Sequence, residues 1–227
     1  MSHQKYETVL VERHHLPYRL MHWGIVSTGL IIGWTGLRLG NLYGISWPDM
    51  QTALTIHVYL GFIFGALWVL LFAYVVKYEW KWFSPTRFPY SIKFFIKEIL
   101  AWTGLGPHIE DPRGYDPEKG EYVEKLIPTE VQVLWMYLLM AAIMGITGFT
   151  LYYQKQFAPI INWANQIAPA FGLSSGIDLI RVVHRLFMYL FLMTMLIHAY
   201  AVTIFDVVGS MVTGKRWEKV VRGRRRH

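Results

Sequence analysis

Cysteine is absent from this chain of 227 residues, and charged residues are scarce, at 16% of the composition. The absence of cysteine excludes disulfide bonds, thiolate-ligated iron–sulfur clusters, thioether-linked haem and cysteine catalysis. Soluble globular domains carry about a quarter charged residues, so the low charge favours a membrane setting. Hydrophobic residues make up 54% of the chain, and we expect one membrane domain over residues 1–227.

Four apolar segments are each long enough to cross a bilayer, which takes about 20 residues of helix. The predicted spans are residues 20–40, 53–76, 131–153 and 179–205. The sequence therefore predicts an all-α membrane protein with a bundle of four transmembrane helices. Residues 1–19 are polar, so we expect no removable signal peptide.

Lysine and arginine are distributed unevenly among the segments that flank the spans. The N-terminal segment, residues 77–130 and the basic tail 206–227 together hold eighteen of the 22 basic residues. Such residues concentrate on the cytoplasmic side of membrane proteins. We therefore expect a multi-pass protein of the cytoplasmic (inner) membrane with both termini cytoplasmic. We attribute the net charge of +7 to this topology and not to nucleic-acid binding.

The cytoplasmic loop 77–130 contains an amphipathic stretch at residues 91–105. Its apolar residues share one helical face, opposite Lys93, Lys97 and Glu98. Amphipathic helices of this kind lie in the headgroup plane of a membrane. We therefore expect an interfacial helix between the second and third spans.

Histidines occur in three of the four spans. His184 and His198 in the fourth span are 14 residues apart, so their imidazoles leave one helical face at levels about 21 Å apart. His22 lies near the start of the first span and His57 near the start of the second. With the expected orientation, His22 and His198 form an inner pair near the cytoplasm, and His57 and His184 form an outer pair.

Histidine pairs drawn from different helices match the way in which a b-type haem is held, with one imidazole on each side of the iron. Zinc or copper would require three or four ligands in one shell, and no span supplies them. The pattern therefore predicts two haem b groups, one on the inner pair and one on the outer pair. The alternative is that each histidine makes a hydrogen bond across the bundle.

Glycines follow two of these histidines at helical spacing. They are Gly29, Gly33 and Gly36 after His22, and Gly61 and Gly65 after His57. Small residues beside a ligand would leave room for a flat macrocycle, whereas the alternative is close packing between helices.

Four segments resemble the membrane cytochrome b subunits of respiratory formate dehydrogenases and nickel-iron hydrogenases, which are related to those of thiosulfate reductases. The segments are RLMHWGIVSTGLIIGWTG, LTIHVYLGFIFG, ITGFTLYY and VVHRLFMYLFLMTMLIHAY. The resemblance covers nearly the whole chain and implies the same histidine pairing. It also implies an iron–sulfur subunit that delivers electrons, an outer-side catalytic subunit, and a quinone that is reduced near the inner haem. The chain would be an electron-transfer subunit and not the catalytic one.

Polar residues near the span ends are candidates for further contacts. Arg181 and Arg185 would pair with the propionates of the outer haem or anchor the fourth span at the headgroups. Glu130 and His15 are candidates for proton delivery to the quinone; the alternative for Glu130 is a solvated carboxylate in a first helical turn. Residues 126–130, LIPTE, stand where the family has an asparagine-containing motif in the quinone region.

These features together predict electron conduction from an outer-side donor to a cytoplasmic-side quinone. Negative charge that moves inward works against an inside-negative potential, at about 2.3 kcal/mol per 100 mV, so the complex would help to build proton-motive force. Two rival functions stay open. One is a self-contained cytochrome that oxidises quinol; the other is a transporter or channel whose histidines relay protons or bind metal, which predicts a colourless protein.

Overall fold

The computed structural model describes residues 6–222, and helices dominate that part of the chain. The helices are α1 Leu16–Leu39, α2 Met50–Tyr74, α3 Trp80–Phe83, α4 Phe88–Trp102, α5 Thr129–Tyr152, α6 Ala158–Ile167, α7 Gly176–Ile204 and α8 Val208–Thr213. Short strands within the same residues are β1 Thr8–Glu12, β2 Gly114–Asp116, β3 Glu121–Glu124 and β4 Lys215–Lys219. The last five residues of the predicted basic tail, 223–227, lie outside the described part.

The long helices α1, α2, α5 and α7 correspond to the four predicted spans. Each is long and apolar enough to cross a membrane, so the predicted all-α class and the four spans are confirmed. Each helix begins two to four residues before the predicted span, because first turns carry polar residues that a hydropathy pattern leaves out. In α7, for example, the Ser175 hydroxyl accepts a hydrogen bond from the backbone N–H of Asp178 at 3.2 Å and so caps the helix.

The chain forms two compact units. The helical unit comprises Met21–Leu71 and Tyr137–Ile204. The sheet-containing unit comprises Met1–Leu20, Phe72–Met136 and Phe205–His227. All four histidines predicted to bind haem belong to the helical unit.

Aromatic side chains hold the helices of the helical unit together. The ring of Phe191 on α7 lies 5.8 Å from that of Phe64 on α2 and 5.1 Å from that of Tyr137 on α5. Trp68 of α2 stacks on Tyr137 at 6.1 Å. Many other apolar side chains, such as Leu196, are exposed, as expected for helices whose outer faces contact lipid.

The sheet-containing unit joins the two ends of the chain, which the sequence patterns did not predict. β1 and β4 pair antiparallel, from Thr8 opposite Lys219 to Glu12 opposite Lys215. β2 and β3 form a second antiparallel pair. The tail that we predicted only as basic therefore contributes α8 and β4 to a folded unit.

Arg13 lies buried at the end of β1. Its Nη1 donates to Glu218 Oε1 at 2.7 Å, and its Nη2 donates to the Lys125 carbonyl oxygen at 2.7 Å. Burial by itself would lower the pKa of Arg13, but the carboxylates of Glu130 and Glu218 raise that pKa above its ordinary value. The guanidinium therefore stays charged, as a buried ion pair requires.

Helix α4 covers most of the predicted amphipathic stretch. Its apolar residues are exposed, namely Ile92, Phe95, Ile96, Ile99 and Leu100, whereas Ser91 and Glu98 are buried. An exposed apolar face suits a helix in the headgroup plane. The interfacial location of α4 stays a prediction.

Candidate functional site

The histidines of the helical unit lie in two facing pairs. The rings of His22 on α1 and His198 on α7 have their centres 6.4 Å apart. The rings of His57 on α2 and His184 on α7 have their centres 6.3 Å apart. The structure thus brings together the same partners that the sequence spacing and topology predicted.

These separations fit a shared iron atom. Two imidazoles on opposite sides of one iron hold their ring centres about 6 Å apart, because each metal–nitrogen bond is about 2 Å and each ring centre lies about 1 Å beyond its nitrogen. A direct hydrogen bond between two imidazoles would bring the ring centres to about 5 Å, since the nitrogens would be about 3 Å apart. The observed spacing therefore fits a shared iron and is longer than a direct hydrogen bond between the two rings would give. The other alternative, hydrogen bonds across the bundle, is seen at Nδ1 of His57 and His184 and leaves Nε2 of each ring available.

His57 of the outer pair is oriented by α1. Its Nδ1 lies 3.1 Å from the Thr35 hydroxyl and 3.1 Å from the Ile32 carbonyl oxygen. A carbonyl oxygen only accepts, so Nδ1 carries the proton and donates. The Nε2 atom of His57 is therefore left unprotonated, which is the state that binds a metal.

His184 has an equivalent neighbour on α5. Its Nδ1 lies 2.7 Å from the Thr147 hydroxyl, which itself donates to the Ile143 carbonyl oxygen at 2.7 Å. A hydroxyl has one proton to donate, so the Thr147 oxygen accepts from Nδ1–H of His184. In both histidines of the outer pair, Nε2 is thus unprotonated and able to bind iron.

Two glycines lie directly beside the outer pair. A Cβ atom added at Gly36 would stand 3.2 Å from His57 Cε1, and one added at Gly148 would stand 3.4 Å from His184 Cε1. Gly61 and Gly65 have nothing within 4 Å of an added Cβ. Of the glycines singled out in the sequence, Gly36 therefore lies against a histidine, and Gly61 and Gly65 border open space along α2.

The sequence reasoning missed Thr35, Thr147 and Gly148. A signal for them exists, because the pattern G-x-T-G occurs twice, as GWTG at residues 33–36 and as GITG at residues 145–148. Each copy lies in a different span and places a threonine and a glycine against one histidine of the outer pair. Such a repeat becomes informative only once the partner histidine is known.

The inner pair has different surroundings. His22 Nδ1 is buried and has no hydrogen-bond partner within residues 6–222. The ring of His22 meets the Trp23 ring edge-on at 5.3 Å, and the ring of His198 meets the Tyr137 ring edge-on at 6.0 Å. The inner histidines thus lie among aromatic rings, and His22 lacks the hydroxyl contact that both outer histidines make.

The two arginines predicted to contact propionates lie near the start of α7. Arg181 is exposed, and its Nη1 forms an ion pair with Asp178 Oδ1 at 3.1 Å. Arg185 is also exposed. Their role toward propionates stays a prediction.

The two residues predicted to deliver protons have separate partners within the sheet-containing unit. The Nδ1 of His15 pairs with Glu12 Oε1 at 3.2 Å, and both side chains are exposed. The Oε1 of Glu130 accepts from the Ile127 backbone N–H at 3.1 Å. Glu130 is half-buried, so its carboxylate is held by the backbone just before α5 and is not freely solvated.

A membrane domain of four long helices with two facing imidazole pairs defines the class of protein, a membrane cytochrome of the b type. Within the described residues, no cluster of three or more histidine, cysteine, aspartate or glutamate side chains is suited to another metal ion. The profile of the prokaryotic cytochrome b561 family matches residues 13–214, so the chain belongs to this family. A direct comparison with curated proteins finds no match.

Family membership confirms the coarser predictions made from the sequence. The chain is a multi-pass membrane cytochrome of a family that binds haem b and acts in electron transfer.

Proposed function

We propose that this chain is a di-haem cytochrome b that carries electrons across the membrane. The inner pair, His22 and His198, would hold one haem, and the outer pair, His57 and His184, would hold the other. The observation that carries this proposal is the presence of two imidazole pairs with ring centres 6.4 and 6.3 Å apart. One pair would account for one haem only.

The residues of the chain bind and orient the cofactor and exclude water. Haem supplies reversible one-electron chemistry at its iron when bound. Because His184 and His198 share α7, its helical rise holds the two levels about 21 Å apart. Near His198, Tyr137 and Phe191 pack against each other and contribute an aromatic lining that helps to exclude water.

We propose that electrons enter at the outer pair and leave at the inner pair. The count of basic residues supports this orientation, because it favours a cytoplasmic location for both termini and residues 77–130. The resemblance to cytochrome subunits of formate dehydrogenases and nickel-iron hydrogenases supports an outer-side catalytic subunit and an iron–sulfur subunit as the electron source. The chain would then serve as the quinone-reducing subunit of such a complex.

The acceptor in this proposal is a quinone on the cytoplasmic side. Its support is the family resemblance, and Glu130 and His15 stay candidates for proton delivery. Glu130 is the more protected residue of the two, since its side chain is half-buried whereas that of His15 is exposed. A cytochrome that oxidises quinol on its own would use the same haems in the reverse direction, and isolation with an iron–sulfur subunit would argue against it.

The number of haems is tested by a reduced-minus-oxidised spectrum of the detergent-purified protein, with haem measured per chain. We expect about two haems b in the wild type and about one in His184→Ala, because the outer pair then lacks a ligand. His108→Ala is the matched control and should retain two, since His108 is an exposed loop residue outside the four long helices.

Two results would contradict the proposal. A wild-type protein that lacks haem after gentle purification would favour the transporter hypothesis, in which the histidines relay protons or bind metal. Loss of both haems from His184→Ala with retained folding, judged by helix content, would argue against two independent sites.

A further inference from the structure

The repeated G-x-T-G pattern has a chemical role that the proposed ligation does not by itself require. Each copy sets a threonine hydroxyl on the Nδ1 of one outer histidine, Thr35 on His57 and Thr147 on His184. The two threonines are 1% and 8% exposed, so water does not compete strongly for these contacts. The two copies lie on different helices, α1 and α5, and act on opposite rings of the same pair.

The direction of these hydrogen bonds follows from the backbone. The Thr35 hydroxyl lies 3.0 Å from the Ile31 carbonyl oxygen, and the Thr147 hydroxyl lies 2.7 Å from the Ile143 carbonyl oxygen. Each hydroxyl therefore gives its proton to its own helix and offers a lone pair to the imidazole. Donation from Nδ1–H increases electron density on the ring and makes Nε2 a stronger base.

The inner pair gives an internal comparison. A Thr-Gly sequence also occurs at residues 28–29, but the Thr28 hydroxyl bonds to the Gly24 carbonyl oxygen of its own helix at 2.7 Å. His22 Nδ1 has no hydrogen-bond partner among the described residues. Each histidine of the outer pair thus has a threonine hydroxyl at its Nδ1, whereas His22 has none.

We propose that Thr35 and Thr147 are positioning residues that lower the midpoint potential of the outer haem below that of the inner haem. This inference rests on the proposed function, since it requires a haem at each pair. A more basic axial ligand stabilises ferric over ferrous iron, and hydrogen bonding around the ligand is one of the means by which a protein sets a haem potential. The lower potential then lies at the side where electrons would enter.

The test is an optical redox titration of the purified full-length protein. His184→Ala identifies the outer haem as the component that disappears from the titration. In Thr147→Val the outer component should shift to a higher potential while the inner component stays in place. In Thr35→Val the shift should have the same direction but be smaller, because Nδ1–H of His57 keeps the Ile32 carbonyl oxygen at 3.1 Å as an acceptor. If loss of one contact weakens ferric binding tenfold and leaves ferrous binding unchanged, the shift is about 59 mV for one electron.

Matched variants separate the hydroxyl contact from general effects of substitution. Thr28→Val and Thr150→Val remove hydroxyls that bond to the Gly24 and Ile146 carbonyl oxygens of their own helices, so both components should keep their wild-type potentials. Thr147→Ser retains a hydroxyl and should restore most of the wild-type value. If Thr147→Val loses the outer haem entirely, Thr35→Val and the serine variant still provide the comparison.

The outcomes distinguish this inference from the proposed function. Wild-type protein with fewer than two haems would contradict the proposed function. Two well-resolved haems whose potentials do not respond to either valine variant would overturn the inference alone. Equal shifts of both components, or shifts of the same size in Thr28→Val, would also overturn it.

Discussion

Gly36 illustrates how a single residue of the first span is explained by a contact with another helix. Glycine inside a helix costs about 1 kcal/mol relative to alanine, so local propensity gives no reason for it. The added Cβ at this position would stand 3.2 Å from His57 Cε1, which is tighter than ordinary van der Waals contact. A side chain at residue 36 would require the imidazole and the α1 backbone to move apart by a few tenths of an ångström, so this close approach favours glycine.

We expect Gly36→Ala to disturb the outer haem while leaving the helix intact. Alanine favours the helix, but its methyl group displaces the His57 ring and weakens both the Thr35 contact and iron binding. Haem content should fall from about two toward one per chain. The control is Gly209→Ala, which adds a methyl group into open space on α8, outside the helical unit that holds the histidine pairs, and should leave the haem content unchanged. Equal haem loss in the two variants would contradict this explanation.

The strand pair β1–β4 is the element that depends most on a buried charge. The Arg13–Glu218 pair joins its two strands, and both side chains are fully buried. Glu218 Oε2 also accepts from Arg216 Nη1 at 2.6 Å. Removal of one member of a buried ion pair leaves the other charged group without compensation.

We therefore expect Glu218→Gln to destabilise the β1–β4 pair by about 3–5 kcal/mol, the usual cost of breaking a buried ion pair from one side. Hydrogen–deuterium exchange of the backbone amides in β1 and β4 measures this local free energy. The exposed pair Arg222–Glu7 provides the control, because both side chains are more than 60% exposed. Glu7→Gln should change the local free energy of opening, as measured by exchange, by less than about 1 kcal/mol. Similar effects of the two substitutions would show that the buried pair has no special role.

At the scale of the whole molecule, the distribution of basic residues determines the expected orientation in the membrane. The segments predicted to be cytoplasmic hold eighteen of the 22 lysines and arginines. The proposed direction of electron flow depends on this orientation, since it decides which histidine pair is outer. A topology experiment therefore tests the proposal independently of any spectrum.

The absence of cysteine makes the orientation directly measurable with single introduced thiols. In intact spheroplasts, we expect Ser46→Cys and Ser174→Cys, both at exposed positions, to react with a membrane-impermeant maleimide. Glu118→Cys, in the exposed turn between β2 and β3, should react only after the membrane is opened. Labelling of Glu118→Cys in intact cells would reverse the assignment of inner and outer pairs.

Much of the fold and half of the candidate site could be predicted because they depend on local periodicity. Span length, the 14-residue interval between His184 and His198, and the bias of basic residues are all properties of contiguous sequence. Together they determined the all-α class, the four spans and the pairing of histidines by level.

Tertiary structure alone decided the contacts that orient those histidines. Thr35 and His57 are 22 positions apart, and Thr147 and His184 are 37 apart, so only helix packing reveals that they touch. Arg13 and Glu218 are 205 positions apart, and their burial depends on a strand pairing that neither segment signals by itself. Periodicity shows which face of a helix a residue occupies, whereas the neighbour on that face depends on how the remote segments pack.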